Sequence, residues 1–334
     1  MTTAHDAHQA HEAARSIGYP VVLKAAAGGG LGMAIVDCAA MLTADYDKVT
    51  AFAGRLFGDP SVFIERFLPR VRQAEVQILG LADGTVVTLG ERECSAQRRH
   101  QKVAEEPPPR VCIGPPGQRM LAAARRVGEV VDDRGAGTVE FLLSPPPVTA
   151  ATARSASSAS SDGSGGSDGS TEFYFLEMNT RLQIEHPATE AVLGIDLVQA
   201  QLLIAAGRDP GFDAMSLRTT GHAIELRINA EHPRGFLPGP GAITRWQEPA
   251  GDGIRVDAGY GPGSTVTAAY DSLTAKVIAR GADREQALAR AVRAVDVFTI
   301  VGPKSNLPFL AELLSKPEFV SGDHDTGIIG RTRV

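Results

Sequence analysis

Short apolar runs alternate with glycines in the first part of the chain, a pattern that predicts strands separated by loops. Residues 21–24 are apolar and β-branched, and a second short strand is predicted at 34–36, after the glycine-rich stretch 25–33. The residues before Gly18 are predicted to form a helix that ends at this glycine, and a further helix is predicted to end near Gly58. A glycine-rich hairpin between two helices is therefore expected.

Further apolar runs predict a sheet in the next part of the chain. The turn pair Asp83-Gly84 is typical of a hairpin and joins two of these runs. The predicted strands are residues 61–67, 75–81 and 85–89.

Apolar residues at helical spacing predict three later helices. The first is marked by Met120, Ala124, Val127 and Val131. Residues 189–206 are mostly apolar and are predicted to form one helix that stops at Gly207. Residues 283–300 form the third, with Asp283 and Gln286 as a capping box.

Two apolar segments, 135–143 and 172–178, have matching character and predict the two strands of a hairpin. The connection between them, 144–171, is rich in Pro at its start and then in Ser, Gly and Asp. Such a composition buries too little apolar surface to order itself. We expect a disordered loop on an intact hairpin.

Composition excludes several classes of protein. With 334 residues, 43% of them hydrophobic, the chain is long enough for one large or two modest globular domains. The formal net charge is −6, so there is no basic excess to neutralise nucleic acid. The three cysteines have no metal-ligand spacing, which argues against a disulfide framework or a zinc site.

No apolar run approaches the roughly 20 residues of a membrane helix, and residues 1–16 lack the basic start and apolar core of a signal peptide. We expect no membrane association and a cytoplasmic location.

The glycine loop is the first candidate for chemistry. Gly28, Gly29 and Gly30 would let backbone N–H groups approach phosphates, and Lys24 would add a positive charge. The loop is neither a P-loop nor a dinucleotide fingerprint. Taken alone, it fits a structural turn as well as a phosphate-binding loop.

Residues 177–186, with the sequence EMNTRLQIEH, hold the most informative pattern. In an extended chain, Glu177, Asn179, Arg181, Gln183 and Glu185 share one face. That face offers oxygen ligands for Mg²⁺, a guanidinium for a planar anion and a carboxylate base. Glu140 would face Glu177 across the hairpin and complete a magnesium–nucleotide clamp with Asn179. The alternative is a half-buried strand with a solvated polar face.

A second polar cluster, 91–102, directly follows an apolar strand, where a site loop is expected. It combines Gln97, His100 and Lys102; the alternative is a solvated charge run. Charged residues also interrupt apolar strands at Glu65, Glu225 and Arg227, where they are either surface-facing or functional.

In combination these segments resemble biotin carboxylase, as found in acyl-CoA, pyruvate and urea carboxylases. The resemblance covers nearly the whole chain in the family's order, and 177–187 is highly specific to it. The matching segments are 18–33, 92–102, 137–142, 177–190, 221–231, 236–238 and 270–272.

This resemblance implies an α+β fold with two parts. A partial ATP-grasp domain is expected over residues 1–207, with the insert at 144–171, and the biotin carboxylase C-terminal domain over 208–334. The N-terminal domain that precedes the ATP-grasp fold in the family is expected to be missing.

Site residues also follow from the resemblance. It implies that the nucleotide is contacted by Lys24, Met33, Glu65, Leu68, Gln97, His100 and Ile300. It implies that Mg²⁺ or Mn²⁺ is bound by Glu140, Glu177 and Asn179. Bicarbonate would be held by Arg181, Gln183 and the backbone of Ile184.

The implied activity is ATP-dependent carboxylation of biotin through carboxyphosphate. Glu185 would take the bicarbonate proton, Arg227 would stabilise the biotin enolate, and Lys102 would hold the transferring anion. The biotin would arrive on a carrier protein or domain. The other expected partners are a second copy of the chain and a carboxyltransferase subunit.

The sequence departs from the family at three places: the glycine loop is one residue shorter with Leu31 at a commonly basic position, Gln73 replaces a histidine, and 144–171 is an addition. Two alternatives remain. One is another ATP-grasp ligase, of the carbamoyl-phosphate type. The other is an inactive fragment or noncatalytic remnant of a biotin carboxylase.

Overall fold

The computed structural model describes residues 2–28, 32–98, 101–110, 114–144 and 171–332. The chain forms two compact units, Met1–Pro69 and Arg70–Val334. The predicted roles of Gly29, Gly30 and His100 and nearly all of the 144–171 insert lie outside the described residues. The predicted domain boundary between 207 and 208 stays a prediction.

The first unit is an antiparallel sheet that packs against two helices. Its elements are β1 (Thr2–Ala4), α1 (Ala7–Ile17), β2 (Val21–Ala25), β3 (Met33–Val36), α2 (Ala39–Phe57) and β4 (Val62–Arg66), with strand order β1-β4-β2-β3. Asp6 begins α1 by accepting a 2.8 Å hydrogen bond from the N–H of Gln9. The helix ends at Gly18 with φ 84°, as the sequence pattern predicts.

The two faces of this sheet differ in character. Val21, Leu23 and Ile64 are fully buried and belong to the core formed with α1 and α2. Side chains alternate between faces along a strand, so Lys24 and Glu65 lie on the opposite face. The helix-free face of the unit therefore carries its charged candidates.

The second unit is built on a large antiparallel sheet. Its strands are β5 (Arg72–Gly80), β6 (Val86–Arg98), β7 (Gln101–Glu106), β8 (Gly135–Ser144), β9 (Glu172–Asn179), β10 (His222–Asn229), β11 (Gly241–Ala242), β12 (Arg245–Gln247), β13 (Ile254–Ala258), β14 (Thr265–Val266), β15 (Leu273–Gly281) and β16 (Thr299–Val301). Eight of them form one sheet in the order β13-β15-β10-β7-β6-β5-β8-β9, while β11 pairs with β14 and β12 with β16.

Helices cover this sheet and bury its apolar side chains. They are α3 (Pro115–Val130), α4 (His186–Leu193), α5 (Leu197–Ala205), α6 (Arg284–Val297), α7 (Leu307–Ser315), α8 (Pro317–Ser321) and α9 (Ile328–Thr332). Helix α3 packs on β5, β6 and β8 around buried Met120, Val139 and Phe141. Asp283 caps α6 by accepting from the N–H of Gln286 at 2.8 Å, as predicted.

The prediction of a single helix over residues 189–206 is wrong. The segment contains two helices, α4 and α5, bent by 98° at the break. Gly194 ends α4 in the left-handed region with φ 71°, and Asp196 starts α5 by accepting from the N–H of Gln199 at 2.7 Å. The continuous apolar composition of the segment predicts one helix, whereas Gly194 and Asp196 mark the end of one helix and the start of another.

The prediction that residues 91–102 form a loop is also wrong. Strand β6 continues from Val86 to Arg98, and β7 resumes at Gln101, so the polar cluster lies largely within a long hairpin. Its charged side chains are paired across strands, as with the buried ion pair of Arg92 and Glu75, which lets them occupy sheet positions. The predicted helix 283–300 ends early, at Val297, and Ile300 lies in β16.

Within the described part of the chain, no single helix has the length and apolar character needed to cross a membrane. Helices α4 and α5 meet those criteria only as a bent pair, and by length and composition alone.

Candidate active site

Antiparallel register gathers buried charged side chains in the middle of the large sheet. Glu75 of β5 lies opposite Glu140 of β8 and, on its other side, opposite Arg92 of β6. Glu105 of β7 lies opposite Glu225 of β10. Directly opposed residues project to the same face, so each pair brings its charged groups together.

Lys102 is the cation that connects three carboxylates of this cluster. Its Nζ atom lies 3.1 Å from Oε1 of Glu140 and 2.5 Å from Oε1 of Glu185, and it also forms an ion pair with Glu75. The side chain is buried in β7. A buried ammonium ion is stable only when it is paired in this way.

Arg227 of β10 holds Glu185 from the other side. Its guanidinium lies 3.0 Å from Oε2 of Glu185 and 2.6 Å from Oε1 of Glu105. Both oxygens of Glu185 are therefore engaged by cations, one by Lys102 and one by Arg227. This places the Glu185 carboxylate between Lys102, expected to hold the transferring anion, and Arg227, expected to stabilise the biotin enolate.

These cations decide the ionisation of Glu185. Burial by itself opposes the charged carboxylate, but Lys102 and Arg227 outweigh it and hold the pKa of Glu185 well below its usual range. The same carboxylates raise the pKa of Lys102 well above its usual value, although burial acts in the opposite direction. Glu185 is therefore a carboxylate and Lys102 an ammonium ion at neutral pH.

Arg92 is fully buried and contacts several residues of the cluster through its guanidinium. Its Nε donates to Glu75 at 2.6 Å, and its NH1 donates to Gln77 at 2.8 Å and to Thr189 of α4 at 2.7 Å. A planar guanidinium with several fixed partners orients each of them. Arg92 thus ties β5 to the start of α4, next to Glu185.

The predicted metal ligands lie together at the β8–β9 hairpin. Glu140 is directly opposite Glu177, in the register that the sequence predicts. The amide of Asn179 donates to both carboxylates at 3.3 Å. Two carboxylates and a carboxamide are oxygen donors of the kind that Mg²⁺ prefers. The residues present therefore fit a hard divalent cation.

A second group of ligand atoms does not point to a metal. One atom each from Glu75, Cys94 and Glu185 lies within 4.8 Å of the others. Lys102, however, forms ion pairs with both carboxylates. An ammonium ion already supplies the positive charge at this position, and burial raises the pKa of the Cys94 thiol.

The polar row at 177–185 is only partly the continuous strand that the alternation predicts. Strand β9 ends at Asn179, and the chain from residue 181 onward turns toward α4. Arg181 is exposed and donates to the side-chain oxygen of Asn179 at 3.3 Å. Gln183 is buried and donates to Glu140 at 3.1 Å. Leaving the sheet lets these side chains approach the cluster from different directions.

The backbone that carries Glu185 is held by a third cation. Lys276 of β15 donates to the carbonyl oxygen of Ile184 at 2.8 Å. The side-chain oxygen of buried Gln183 has no hydrogen-bond partner among the described residues. A buried acceptor without a partner is costly, and a ligand that donates to it would remove that cost.

Gln97, a predicted nucleotide contact in the second unit, is connected by hydrogen bonds to a predicted metal ligand. It donates to Gln73 at 2.6 Å, and Gln73 in turn donates to Glu140 at 2.5 Å. Gln73, the residue that replaces a histidine, is thus part of the cluster. Ile300 of β16 lies opposite Trp246 of β12.

In the first unit, the predicted nucleotide contacts lie close to one another. Lys24 of β2 forms an ion pair with Glu65 of β4 and lies opposite Met33 of β3. Gly28 is buried and donates its N–H to the carbonyl of Ala25 at 3.0 Å. The remaining residue of this set, Leu68, is half-buried after β4.

Several residues of the cluster were not among the predicted site residues, among them Arg92, Glu105 and Glu225. All three are fully buried, and Glu225 interrupts an apolar strand. For Glu225, the charge on an apolar strand was a usable signal, because buried charges are paired or functional. The predicted hairpin at Asp83-Gly84 brings Arg92 opposite Glu75, whereas the pairing of β7 with β10, which joins Glu105 and Glu225, is not visible in local sequence.

Two family models match most of the chain. Residues 1–150 and 167–210 match the carbamoyl-phosphate synthase L chain ATP binding domain, and residues 225–331 match the biotin carboxylase C-terminal domain.

Curated relatives and solved structures agree with this match. A pyruvate carboxylase subunit of Methanothermobacter thermautotrophicus is 39% identical over 98% of this chain and 62% of its own length. Biotin carboxylase 2 of Bacillus subtilis is 39% identical over 97% of this chain and 68% of its own length. The chain thus spans less than two thirds of the archaeal relative.

A solved structure matches with a TM-score of 0.86. It is the biotin carboxylase domain dimer of the Hydrogenobacter thermophilus 2-oxoglutarate carboxylase, in complex with MgADP, ADP and bicarbonate. It is 34% identical, over 98% of this chain and 67% of that one. The ATP-grasp fold and the following C-terminal domain are thereby confirmed, and the chain belongs to the biotin carboxylase family.

Proposed function

We propose that this chain uses ATP and bicarbonate to carboxylate biotin carried on a protein. The observation that carries the proposal is the Glu185 carboxylate held between Lys102 and Arg227. That arrangement places a base between two cations, which suits a reaction whose intermediates are small anions. It is found in a chain whose family carries out this reaction.

Bicarbonate would bind next to Arg181 and Gln183, whose side chains have polar groups that are not fully used in hydrogen bonds. The exposed guanidinium of Arg181 makes hydrogen bonds of 3.3 and 3.5 Å, which leaves donors for a planar anion. Gln183, buried beside Glu140, would be a further contact for the anion. The Hydrogenobacter relative, solved with bicarbonate, supports an anion site in this fold.

The first step would join bicarbonate to the γ-phosphorus of ATP. Glu185 accepts the proton of bicarbonate, an oxygen of the resulting anion attacks the γ-phosphorus, and the bond to the β-phosphate oxygen breaks. The products are ADP and carboxyphosphate. Positioning by Arg181 and charge neutralisation by Lys24 and Lys102 contribute most of the rate enhancement in such a reaction.

The second step would transfer the carboxyl group to biotin. Carboxyphosphate breaks its C–O bond to give CO₂ and trivalent phosphate, and the phosphate removes the proton from N1 of biotin. The nitrogen then attacks CO₂. Arg227 would stabilise the negative charge that develops on the ureido oxygen, as an oxyanion site does.

A divalent cation would be held by Glu140, Glu177 and Asn179. Mg²⁺ bound there would neutralise the phosphate charge of the nucleotide. Glu140 also receives hydrogen bonds from Lys102, Gln73 and Gln183, which fix its orientation toward a ligand. The further nucleotide contacts proposed are Lys24, Gly28, Gly29, Gly30, Met33, Glu65, Leu68, Gln97, His100 and Ile300.

Other parts of the proposal concern partners. A biotin carrier protein or domain, a carboxyltransferase subunit, a homodimer and a cytoplasmic location are proposed from the family. An acyl-CoA is the proposed final acceptor of the carboxyl group. Pyruvate is the alternative acceptor, because one relative is a subunit of a pyruvate carboxylase. The match of residues 225–331 to the biotin carboxylase C-terminal domain supports this family over a carbamoyl-phosphate-type ligase.

The test is ADP release from ATP in the presence of bicarbonate and Mg²⁺, with and without free biotin. We expect biotin to stimulate turnover, and Glu185→Gln to abolish the stimulation. Glu312→Gln, at a partly exposed position of α7, is the matched control and should behave like the unmodified chain.

Absence of turnover, together with the absence of any ATP-induced rise in melting temperature, would contradict the proposal. That result would favour the alternative of an inactive remnant of a biotin carboxylase.

A further inference from the structure

Two fully buried carboxyl groups face one another behind Arg227. Glu105 of β7 and Glu225 of β10 occupy directly opposed positions and have no exposed surface. Oε1 of Glu105 accepts from Arg227 at 2.7 Å, and Oε2 of Glu225 accepts from the N–H of Ala188 at 3.2 Å. The other oxygen of each group has no hydrogen-bond partner among the described residues.

Two ionised carboxylates are not stable in this arrangement. Burial is the main cause that raises both pKa values, to about 7 for Glu105 and well above the usual range for Glu225. Arg227 lowers the pKa of Glu105 and offsets part of the effect, whereas the charge of Glu105 raises that of Glu225 further. When two carboxyl groups interact this closely, the proton resides on the one with fewer cationic partners.

We propose that Glu225 holds a proton and donates it in a hydrogen bond to the free oxygen of Glu105, so that the pair positions Arg227 against Glu185. The assignment of atoms follows from the hydrogen bonds. Oε2 of Glu225 already accepts from Ala188, which leaves Oε1 for the proton. Oε1 of Glu105 already accepts from Arg227, which leaves Oε2 as the acceptor.

The surrounding charges are consistent with one shared proton. Glu225 has no ion pair with any described residue. The charged groups that act on the pair are Lys102 of β7, Arg227 of β10, Lys276 of β15 and Glu185 before α4. Arg227 is paired with Glu105 and Glu185, Lys276 donates to the Ile184 carbonyl, and Lys102 binds Glu75, Glu140 and Glu185.

The consequence for function rests on the proposed carboxylation of biotin, in which Arg227 stabilises the enolate. Glu105 and Glu225 touch no reacting atom and act only as positioning residues for Arg227. A guanidinium that is fixed before substrate binds loses less conformational entropy in the transition state.

The protonation state is tested on the full chain without any need for activity. At about pH 8, most free carboxyl groups are ionised, so the infrared carbonyl stretch of a protonated carboxyl group reports only unusual ones. We expect this band in the unmodified chain and its reduction in Glu225→Gln. Glu312→Gln, the matched control, should retain it. An unchanged band in Glu225→Gln overturns the proposal, whatever the activity of the protein.

The positioning role is tested by comparing two variants of Glu225. Glutamine keeps a donor to Glu105 and an acceptor for Ala188, whereas alanine keeps neither. We expect Glu225→Ala to raise the KM for free biotin by about tenfold, with a smaller change in the KM for ATP. Glu225→Gln should restore the KM for biotin to within about twofold.

Equal losses in both variants would contradict the neutral, hydrogen-bonding role of Glu225. If the unmodified chain shows no biotin-stimulated turnover, the proposed function fails while the infrared result still decides the protonation of the pair.

Discussion

The Nζ atom of Lys102 lies 2.5 Å from Oε1 of Glu185 and forms ion pairs with two further carboxylates. In this arrangement Glu185 is a weak base, because the neighbouring cations hold its pKa well below the usual range. In the proposed reaction, Glu185 takes a proton from bicarbonate, and this requires Lys102 to shift its charge toward the phosphates or the bicarbonate. The ion pair therefore links binding of the anionic substrates to the basicity of Glu185.

Replacing Lys102 with glutamine tests this link. The change removes a cation that lowers the pKa of Glu185, so the pH range in which Glu185 is ionised moves upward. We expect the acidic limb of the rate–pH profile to shift to higher pH, with kcat/KM lower by about 100-fold or more.

The measurement is the pH dependence of biotin-stimulated ADP release. Lys48→Gln removes a cation from an exposed ion pair on α2 and is the matched control. A profile for Lys102→Gln that falls in rate without any shift along the pH axis would argue against a coupling between the two side chains.

Replacing Arg181 with alanine should affect bicarbonate specifically. Because the side chain is exposed and makes only long hydrogen bonds, its loss leaves the fold intact. We expect the KM for bicarbonate to rise roughly 10- to 100-fold, with an unchanged melting temperature. Arg126→Ala, exposed on α3, is the control. An equal rise in the KM for biotin would show that Arg181 does not select bicarbonate.

Glu106 should make the protein sensitive to acid. Burial opposes its ionisation, but His222 and Arg284 outweigh burial and lower its pKa from 4.5 to about 2. A carboxylate whose pKa is lower in the folded state contributes stability above about pH 4.5 and loses it as the pH falls toward 2. The contribution is about 3 kcal/mol.

Urea unfolding of Glu106→Gln at several pH values measures that contribution. The variant should be less stable than the unmodified chain near neutral pH, and the difference should shrink toward pH 2. Glu312→Gln should show neither effect. A difference that is constant across the pH range would mean that packing, rather than ionisation, explains the loss.

Gly80 of β5 should not tolerate a side chain. An added Cβ would lie 2.0 Å from the backbone oxygen of Asp133, which is part of the main chain and cannot rotate away. We expect Gly80→Ala to destabilise the protein by about 3 kcal/mol or more. Gly330→Ala in α9 meets nothing within 4 Å and should be neutral or stabilising by up to about 1 kcal/mol. Thermal unfolding of the two variants compares them directly.

Local sequence signals predicted the elements that depend on neighbouring residues. The end of α1 at Gly18 and the Asp283 cap of α6 follow from short-range patterns, and the pairing of Glu140 with Glu177 follows from the matching character of two predicted strands. The break between α4 and α5 is not predicted by the hydrophobic pattern, because the segment is apolar on both sides of Gly194.

The interior of the site was harder to predict than its elements. A charged residue on an apolar strand faces either solvent or a partner, and sequence does not distinguish the two. Part of what surrounds Arg92 and Glu225 comes from segments distant in sequence: Thr189 of helix α4 accepts from Arg92, and Glu105 of β7 lies opposite Glu225. These contacts join segments separated by about a hundred residues or more, which no local pattern encodes.

The pairing of β7 with β10 joins the segment that matches the ATP binding domain to the segment that matches the C-terminal domain. A backbone cut near residue 215 would leave each piece with an exposed strand edge, β7 on one and β10 on the other. Such edges pair readily with a complementary strand. The two pieces should therefore reassemble with each other, and neither piece alone would contain both Glu185 and Arg227.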